Sequence, residues 1–205
     1  MCAPSNAAID ELLRRLTRAQ GGILGSNGKN RPVKIIRLGR LVESTESCNE
    51  TLSQYTIEYQ VDLIIQNSGF VEELAKVNNR LSEAYSKLHT LRNQLSPDTD
   101  KLNVRIKKLY SDIKFLKSER VAFETNIETL RVNASRKIIL ESELIVSTLS
   151  SSSSSLFLEN ICAQDVSLDT VVIDEACQAT EPASLIPLRY GCKKLILVGD
   201  PRQLH

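Results

Sequence analysis

Tryptophan is absent from these 205 residues, and aromatic residues make up only 4% of them. That scarcity argues against the stacked aromatic platforms with which many proteins hold unpaired bases. No apolar run approaches the roughly 20 residues that a bilayer span needs, and no basic segment followed by an apolar one opens the chain. Zinc-type CxxC pairs and Cys/His clusters are missing. The five cysteines, Cys2, Cys48, Cys162, Cys177 and Cys192, are odd in number and scattered, which disfavours zinc and favours a reducing compartment. Two sequons, at Asn49 and Asn133, would matter only in a secreted protein, and nothing else points to secretion. A soluble, intracellular protein with no membrane partner is expected. The formal net charge of +1 gives no global pull toward nucleic acid, so any basic surface must be local. Also missing is a GxxxxGK[ST] loop. The nearest stretch, residues 23–30, has Ile23 where Gly is required, Asn30 where Ser or Thr is required, and follows a predicted helix instead of a strand.

What is present falls into three pieces. Residues 7–19 place Ile9, Leu12, Leu13 and Leu16 on one helical face, with Ser5 or Asn6 as the N-cap and Asp10 and Glu11 near the positive end of the helix dipole. Gly21 and Gly22 end the helix, residues 25–30 read as a flexible turn, and residues 33–38 read as a strand. A different rhythm follows. Phe70, Leu74, Val77, Leu81, Ala84, Leu88, Leu91 and Leu95 alternate steps of four and three. After Pro97 the same rhythm resumes at Leu102, Ile106, Leu109, Ile113, Leu116, Phe123, Ile127 and Leu130, broken only at Arg120. Two heptad arms around a Pro/Asp turn describe an antiparallel helical hairpin, each arm roughly 40 Å long at 1.5 Å per residue. Strand signals return at residues 144–147, 170–173 and 194–198, with a short helix at 183–188 between the last two. Those last two strands are continuous apolar runs, the pattern of parallel strands buried on both faces. The six serines at 150–155 read as a mobile, low-complexity loop. The fold class is α/β, a partial parallel sheet interrupted by a coiled-coil hairpin. Its expected pieces are residues 1–45, 46–135 and 136–205.

Chemistry concentrates near the end. Val171, Val172 and Ile173 lead into Asp174 and Glu175. In nucleotide hydrolases the first acid of such a pair holds Mg²⁺ and the second orients and deprotonates the attacking water. Taken alone, a strand ending in two acids is as readily a solvated strand end. About 25 residues later a second apolar strand ends in Gly199-Asp200-Pro201-Arg202-Gln203-Leu204, where Gly199 permits close backbone approach and Asp200 and Gln203 add polar groups. Ligands of open α/β sheets bind outside the carboxyl ends of the strands, where both motifs lie. Their combination and order point to a nucleotide site.

These residues resemble a known family. DEACQATEPASLIPLRYG followed by KKLILVGDPRQL resembles motifs II and III of the superfamily 1B helicases, and its wording is closest to the senataxin type. MCAPSNAAIDELLRRL is similar to motif Ia of that group and ELIVSTLSSS to motif Ic. VKIIRLGR and the helical insertion fall where the family has a strand and a prong subdomain. The resemblance implies part of a first RecA-like domain that uses ATP and Mg²⁺ in the intact protein. It makes Asp174 the Mg²⁺ ligand, Glu175 the catalytic base, Gln203 a γ-phosphate sensor and Asp200 its support. It also implies nuclear localisation and contact with single-stranded RNA or DNA, or RNA–DNA hybrids, through Pro4, Ser5, Asn6, Ser147 and Thr148. A small-residue loop opening a helix offers backbone donors to phosphate, although by itself it is equally an ordinary capped helix. On the returning hairpin arm Lys101, Arg105, Lys107, Lys108, Lys114, Lys117 and Arg120 face only Asp112 and Glu119. Such a run is either a solvated face or a backbone-binding one.

The family's phosphate loop lies upstream of motif Ia, and its GDPRQL motif continues with Pro-Pro, whereas His205 is the last residue here. Both ends are expected to be truncations. The chain alone is expected not to hydrolyse ATP and to be poorly stable, with the hairpin its most self-sufficient part. The competing expectation is a non-enzymatic interaction protein that docks a partner through the hairpin while relic motifs persist. A DNA-directed relative within the same superfamily shares every motif.

Overall fold

The computed structural model describes residues 1–18, 23–24, 30–31, 33–39, 41, 52–93, 99–154 and 168–203. Strand β1 (Cys2–Ala3) leads directly into helix α1 (Asn6–Arg18). Strands β2 (Ile23–Leu24) and β3 (Asn30–Arg31) pair antiparallel, with Ile23 opposite Arg31. The turn expected at 25–30 lies outside the described residues except for Asn30, which is in β3. Strand β4 (Ile35–Leu38) follows, then helices α2 (Ile57–Asn67), α3 (Phe70–Asn93) and α4 (Thr99–Glu141). Strands β5 (Leu144–Thr148) and β6 (Thr170–Ile173), short helix α5 (Glu181–Leu185) with a 3-10 extension (Ile186–Tyr190), and strand β7 (Lys194–Leu197) complete the order.

The five-stranded sheet has the order β4-β5-β1-β6-β7, and every pair is parallel. Two-residue β1 holds the centre because both of its edges are used. Ser147 N donates to Met1 O (3.0 Å) and Leu149 N to Ala3 O (3.0 Å), while Asp174 N donates to Cys2 O (2.8 Å). Alternation along the strand then splits the core between the sheet's faces. Ala3 packs with Ile9 and Val146, beside Leu12 of α1. Cys2 packs with Leu149, Val171 and Ile173, beside Ala183 and Leu188. The sheet is therefore covered by α1 on one face and by the α5 region on the other.

Chain contacts define two units, residues 1–61 with 135–205, and residues 62–134. Within the second, Val77, Leu81, Ala84 and Leu88 of α3 form a core with Ile113 and Leu116 of α4. Pairs along these helices run in reversed order. Phe70 meets Phe123 with ring centroids 6.4 Å apart, Arg80 lies 3.8 Å from Glu119, the Lys117 ammonium sits 5.6 Å from the Tyr85 ring centroid, and Arg92 Nη2 donates to Tyr110 Oη. At 1.5 Å per residue the 43 residues of α4 extend about 64 Å, longer than the heptads alone predict.

Three expectations need correction. Strand β7 is not buried on both faces. Among the described residues it pairs with β6 only, and Leu195, Ile196, Leu197 and Val198 are 41–58% exposed. An apolar run specifies a hydrophobic strand but not how many neighbours cover it. The serine run is not a loop throughout, because Ser151–Ser153 form a 3-10 turn. Ser152 Oγ donates to Leu149 O (2.6 Å) there, and the Ser152 carbonyl accepts from Tyr190 Oη, which buries a serine that composition marks as surface. Finally, α1 has no acid in its first turn. Asp10 is buried one turn further in, and Glu11 pairs with Arg14 and Arg15.

Candidate functional site

Four loops leave the carboxyl ends of neighbouring strands, as the all-parallel sheet requires. After β6 the chain turns at Asp174 and Glu175. Asp174 Oδ1 accepts from Glu175 N (3.0 Å), and Glu175 Oε2 accepts from Gln178 Nε2 (3.0 Å). Glu175 has φ 53° and ψ 37°, the left-handed conformation, and is the sole such non-glycine among the described residues. Backbone strain of this kind concentrates at functional positions. Here it turns Glu175 back over the sheet edge so that Ala176 N can donate to Val198 O (2.8 Å).

That hydrogen bond ties the β6 turn to the β7 turn, and Val198 N donates in return to Ile173 O (2.9 Å). The close approach needs Gly199. Asp200 Oδ1 accepts from Arg202 N (2.9 Å) and so caps the 3-10 turn Pro201–Gln203. Gln203 ends that turn in the backbone; its side chain lies outside the described residues. The geometry therefore brings Asp174, Glu175 and Asp200 to adjacent strand tips, with the Gln203 main chain one turn beyond.

A cleft of about 270 Å³ opens beside Asp174 and Glu175, lined across from them by Ala8, Glu11, Leu12, Arg15 and Leu16 of α1. The Arg15 and Arg14 guanidiniums hold the Glu11 carboxyl below the usual carboxylate range. The cleft thus offers two acids on one wall and an Arg/Glu pair on the other. A hard divalent cation that keeps much of its water suits a single partly exposed carboxylate supplemented by phosphate oxygens, so Asp174 fits Mg²⁺ held with a nucleotide. Among the described residues no group of three His, Cys, Asp or Glu side chains forms a closed metal cage.

On the other side of β1, Ser5 is the N-cap of α1. Its Oγ accepts from Ala8 N (3.1 Å) and its carbonyl accepts from Ile9 N (3.2 Å). Ser5 and Asn6 are exposed and Pro4 is half-buried. Ser147 and Thr148 end β5 and are both buried. Ser147 Oγ lies 3.7 Å from Cys2 Sγ, and Thr148 Oγ1 donates to Ser151 Oγ (2.8 Å) while accepting from Ser151 N (3.0 Å). The Thr148 hydroxyl thus shapes the turn after β5, while the Ser147 hydroxyl meets β1.

Arg37 and Gln178 carry geometry that the sequence reading missed. A charge inside the apolar run Ile35-Ile36-Arg37-Leu38 was the available signal, because a buried arginine must have partners. Its side-chain partners Asp10 and Asn6 are distant in sequence, which hides them from any local pattern.

An all-parallel sheet with paired acids and a Gly-Asp turn at neighbouring tips is the arrangement of a RecA-like α/β domain. A sequence profile of the AAA domain family matches residues 1–205. "Helicase sen1" of Schizosaccharomyces pombe is 32% identical over 224 residues, covering 100% of this chain and 13% of that protein. "Helicase SEN1" of Saccharomyces cerevisiae is 34% identical, with coverage of 100% and 10%. "Probable helicase senataxin" of Homo sapiens is 29% identical, with coverage of 100% and 8%. The chain belongs to the AAA domain family, in its senataxin-type superfamily 1B helicase branch. It spans about a tenth of the length of these relatives.

Proposed function

We propose that these residues form the nucleotide- and strand-facing portion of the first RecA-like domain of an ATP-dependent RNA or DNA helicase or translocase. Asp174 holds the Mg²⁺ of the bound nucleotide, and Glu175 orients and deprotonates the attacking water. Gln203 meets the γ-phosphate, with Asp200 fixing the turn that carries it. Pro4, Ser5, Asn6, Ser147 and Thr148 meet the backbone of a single strand. Residues 46–135 are an antiparallel coiled-coil insertion. Its basic arm, from Lys101 to Arg120, takes nucleic-acid backbone or a protein partner. The intact protein acts in the nucleus on single strands or RNA–DNA hybrids.

The single observation that supports this reading is the ladder across the tips of β1, β6 and β7. Asp174 N bonds Cys2 O, Val198 N bonds Ile173 O and Ala176 N bonds Val198 O. It draws the motif II and motif III turns and the strand before Ser5 to one edge of the sheet. These 205 residues contain no GxxxxGK[ST] loop, so by themselves they do not turn over ATP.

The test is ATP hydrolysis by the full-length protein, with and without oligo(U) and oligo(dT) single strands. Stimulation by a strand, lost in Glu175→Gln, is expected. No turnover with or without a strand would overturn the reading in favour of a chain whose hairpin serves only to dock partners, and turnover that survives Glu175→Gln would remove the role given to that residue.

A further inference from the structure

The Arg37 side chain is 0% exposed, and it reaches acceptors on two separate stretches of chain. Nε donates to Asp10 Oδ1 (2.7 Å) in α1, and Nη2 donates to Asn6 Oδ1 (3.2 Å) at the start of the same helix. Nη1 donates to Gly39 O and, more weakly, to Leu38 O (3.5 Å). The backbone of Arg37 is held as well, its N donating to Tyr55 O (2.7 Å). A buried guanidinium with this many partners fixes all of them relative to one another.

Two consequences follow from chemistry alone. A guanidinium only donates, so the atom that Asn6 turns toward it must be the amide oxygen. Asn6 is exposed, and its Nδ2 is the donor left on the side turned from Arg37. On the other side, Gly39 has φ 90° and sits so near Ser151 that an added Cβ would lie 2.6 Å from Ser151 Oγ. Ser151 is the partner of Thr148 in the turn after β5. One guanidinium thus holds both the Asn6 amide and the Gly39 carbonyl, and Gly39 packs against the Ser151–Thr148 turn.

We propose that Arg37 is a positioning residue for nucleic-acid binding, holding the Asn6 amide donor outward and in register with the Thr148–Ser151 turn. The inference rests on reading the Ser5–Asn6 loop as strand-facing. Lysine at position 37 keeps the charge but, as a point donor on a flexible stem, cannot span the separate acceptors.

The experiment is a double-mutant cycle in the full-length protein, read by fluorescence anisotropy with labelled oligo(U). Asn6→Ala and Arg37→Lys are each expected to weaken binding roughly tenfold, the scale of a hydrogen bond to a charged group. The double variant is expected to be little weaker than Asn6→Ala alone, because Asn6→Ala deletes the donor that Arg37→Lys misplaces. If Asn6→Ala leaves affinity unchanged, the strand-facing reading fails and this inference with it. If Asn6→Ala weakens binding but the Arg37→Lys loss simply multiplies it, the loop still faces the strand and Arg37 acts only on the fold. Should Arg37→Lys not fold, Asn6→Asp carries the test. It keeps an oxygen toward Arg37 and removes the donor, so melting temperature should rise while affinity falls at least tenfold. A lower melting temperature, or unchanged affinity, contradicts the assignment.

Discussion

Gly199 lies against Cys177, with a Cβ position 3.0 Å from both the backbone nitrogen and the Sγ of that residue, and 3.2 Å from Ala176 N. A side chain at Gly199 would need Cys177 or Ala176 to yield by a few tenths of an ångström, and Ala176 is held by its bond to Val198 O. The absence of a side chain thus lets motifs II and III approach this closely. Gly199→Ala is expected to destabilise the fold by about 1–3 kcal/mol, the usual range for overpacking. It should also lower ATP turnover in the full-length protein by separating the two turns. A urea titration giving an unchanged midpoint would show that the contact is slack.

The left-handed conformation of Glu175 separates stability from activity. A non-glycine residue there costs about 1–2 kcal/mol, partly offset in any glycine replacement by greater freedom of the unfolded chain. Glu175→Gly is expected to be neutral or to stabilise the protein by up to about 1 kcal/mol, while abolishing turnover. Glu175→Gln should abolish turnover without that gain. Matched denaturation curves of the two variants check the difference.

Strand β7 exposes Leu195, Ile196, Leu197 and Val198. Exposed apolar strands at a sheet edge template association. The 205-residue polypeptide in isolation is expected to self-associate at micromolar concentration, and Leu197→Lys should suppress this, as followed by light scattering. A monomeric solution with a sharp, high-temperature melt would contradict the expectation.

Lys193 Nζ donates to Asp169 Oδ1 at 2.7 Å. The lysine holds the Asp169 carboxyl below its usual range, and the carboxylate raises the Lys193 ammonium. For Asp169, any stabilisation is present above its unfolded value, near pH 4, and fades as pH falls through the lowered folded value. For Lys193 it is present below the unfolded value and fades as pH rises through the raised one. Both groups are fully exposed, so added salt should erase the effect. Lys193→Ala should return the Asp169 carboxyl to its ordinary titration, measurable by NMR.

The sequence made some elements legible and hid others for physical reasons. Residues 170–173 were readable because an apolar run ending in two acids has one structural solution, and the strand formed there. Helix α1 was readable from the spacing of Ile9, Leu12, Leu13 and Leu16, and from Ser5 as a cap. The helix Ile57–Asn67 escaped, although Ile57, Val61 and Ile65 recur every four residues and are all buried. Three apolar positions next to a far stronger heptad signal are easily passed over. In the site, the placement of Asp174, Glu175 and Asp200 at strand ends was legible, because it follows from the apolar runs that precede them. The inward-facing hydroxyls of Ser147 and Thr148 and the burial of Arg37 were not, because each depends on partners supplied by other segments.

The proposed nucleotide site divides the work between adjacent acids, Asp174 for the metal and Glu175 for the water. Binding of Mn²⁺ with ATP to the full-length protein, followed by electron paramagnetic resonance alongside turnover, separates the two roles. Asp174→Asn is expected to weaken metal–nucleotide binding by more than about tenfold, on the scale of losing a charged contact. Glu175→Gln should leave that binding intact while turnover disappears. Metal binding that is indifferent to Asp174, or turnover that persists without the Glu175 carboxylate, would contradict the account.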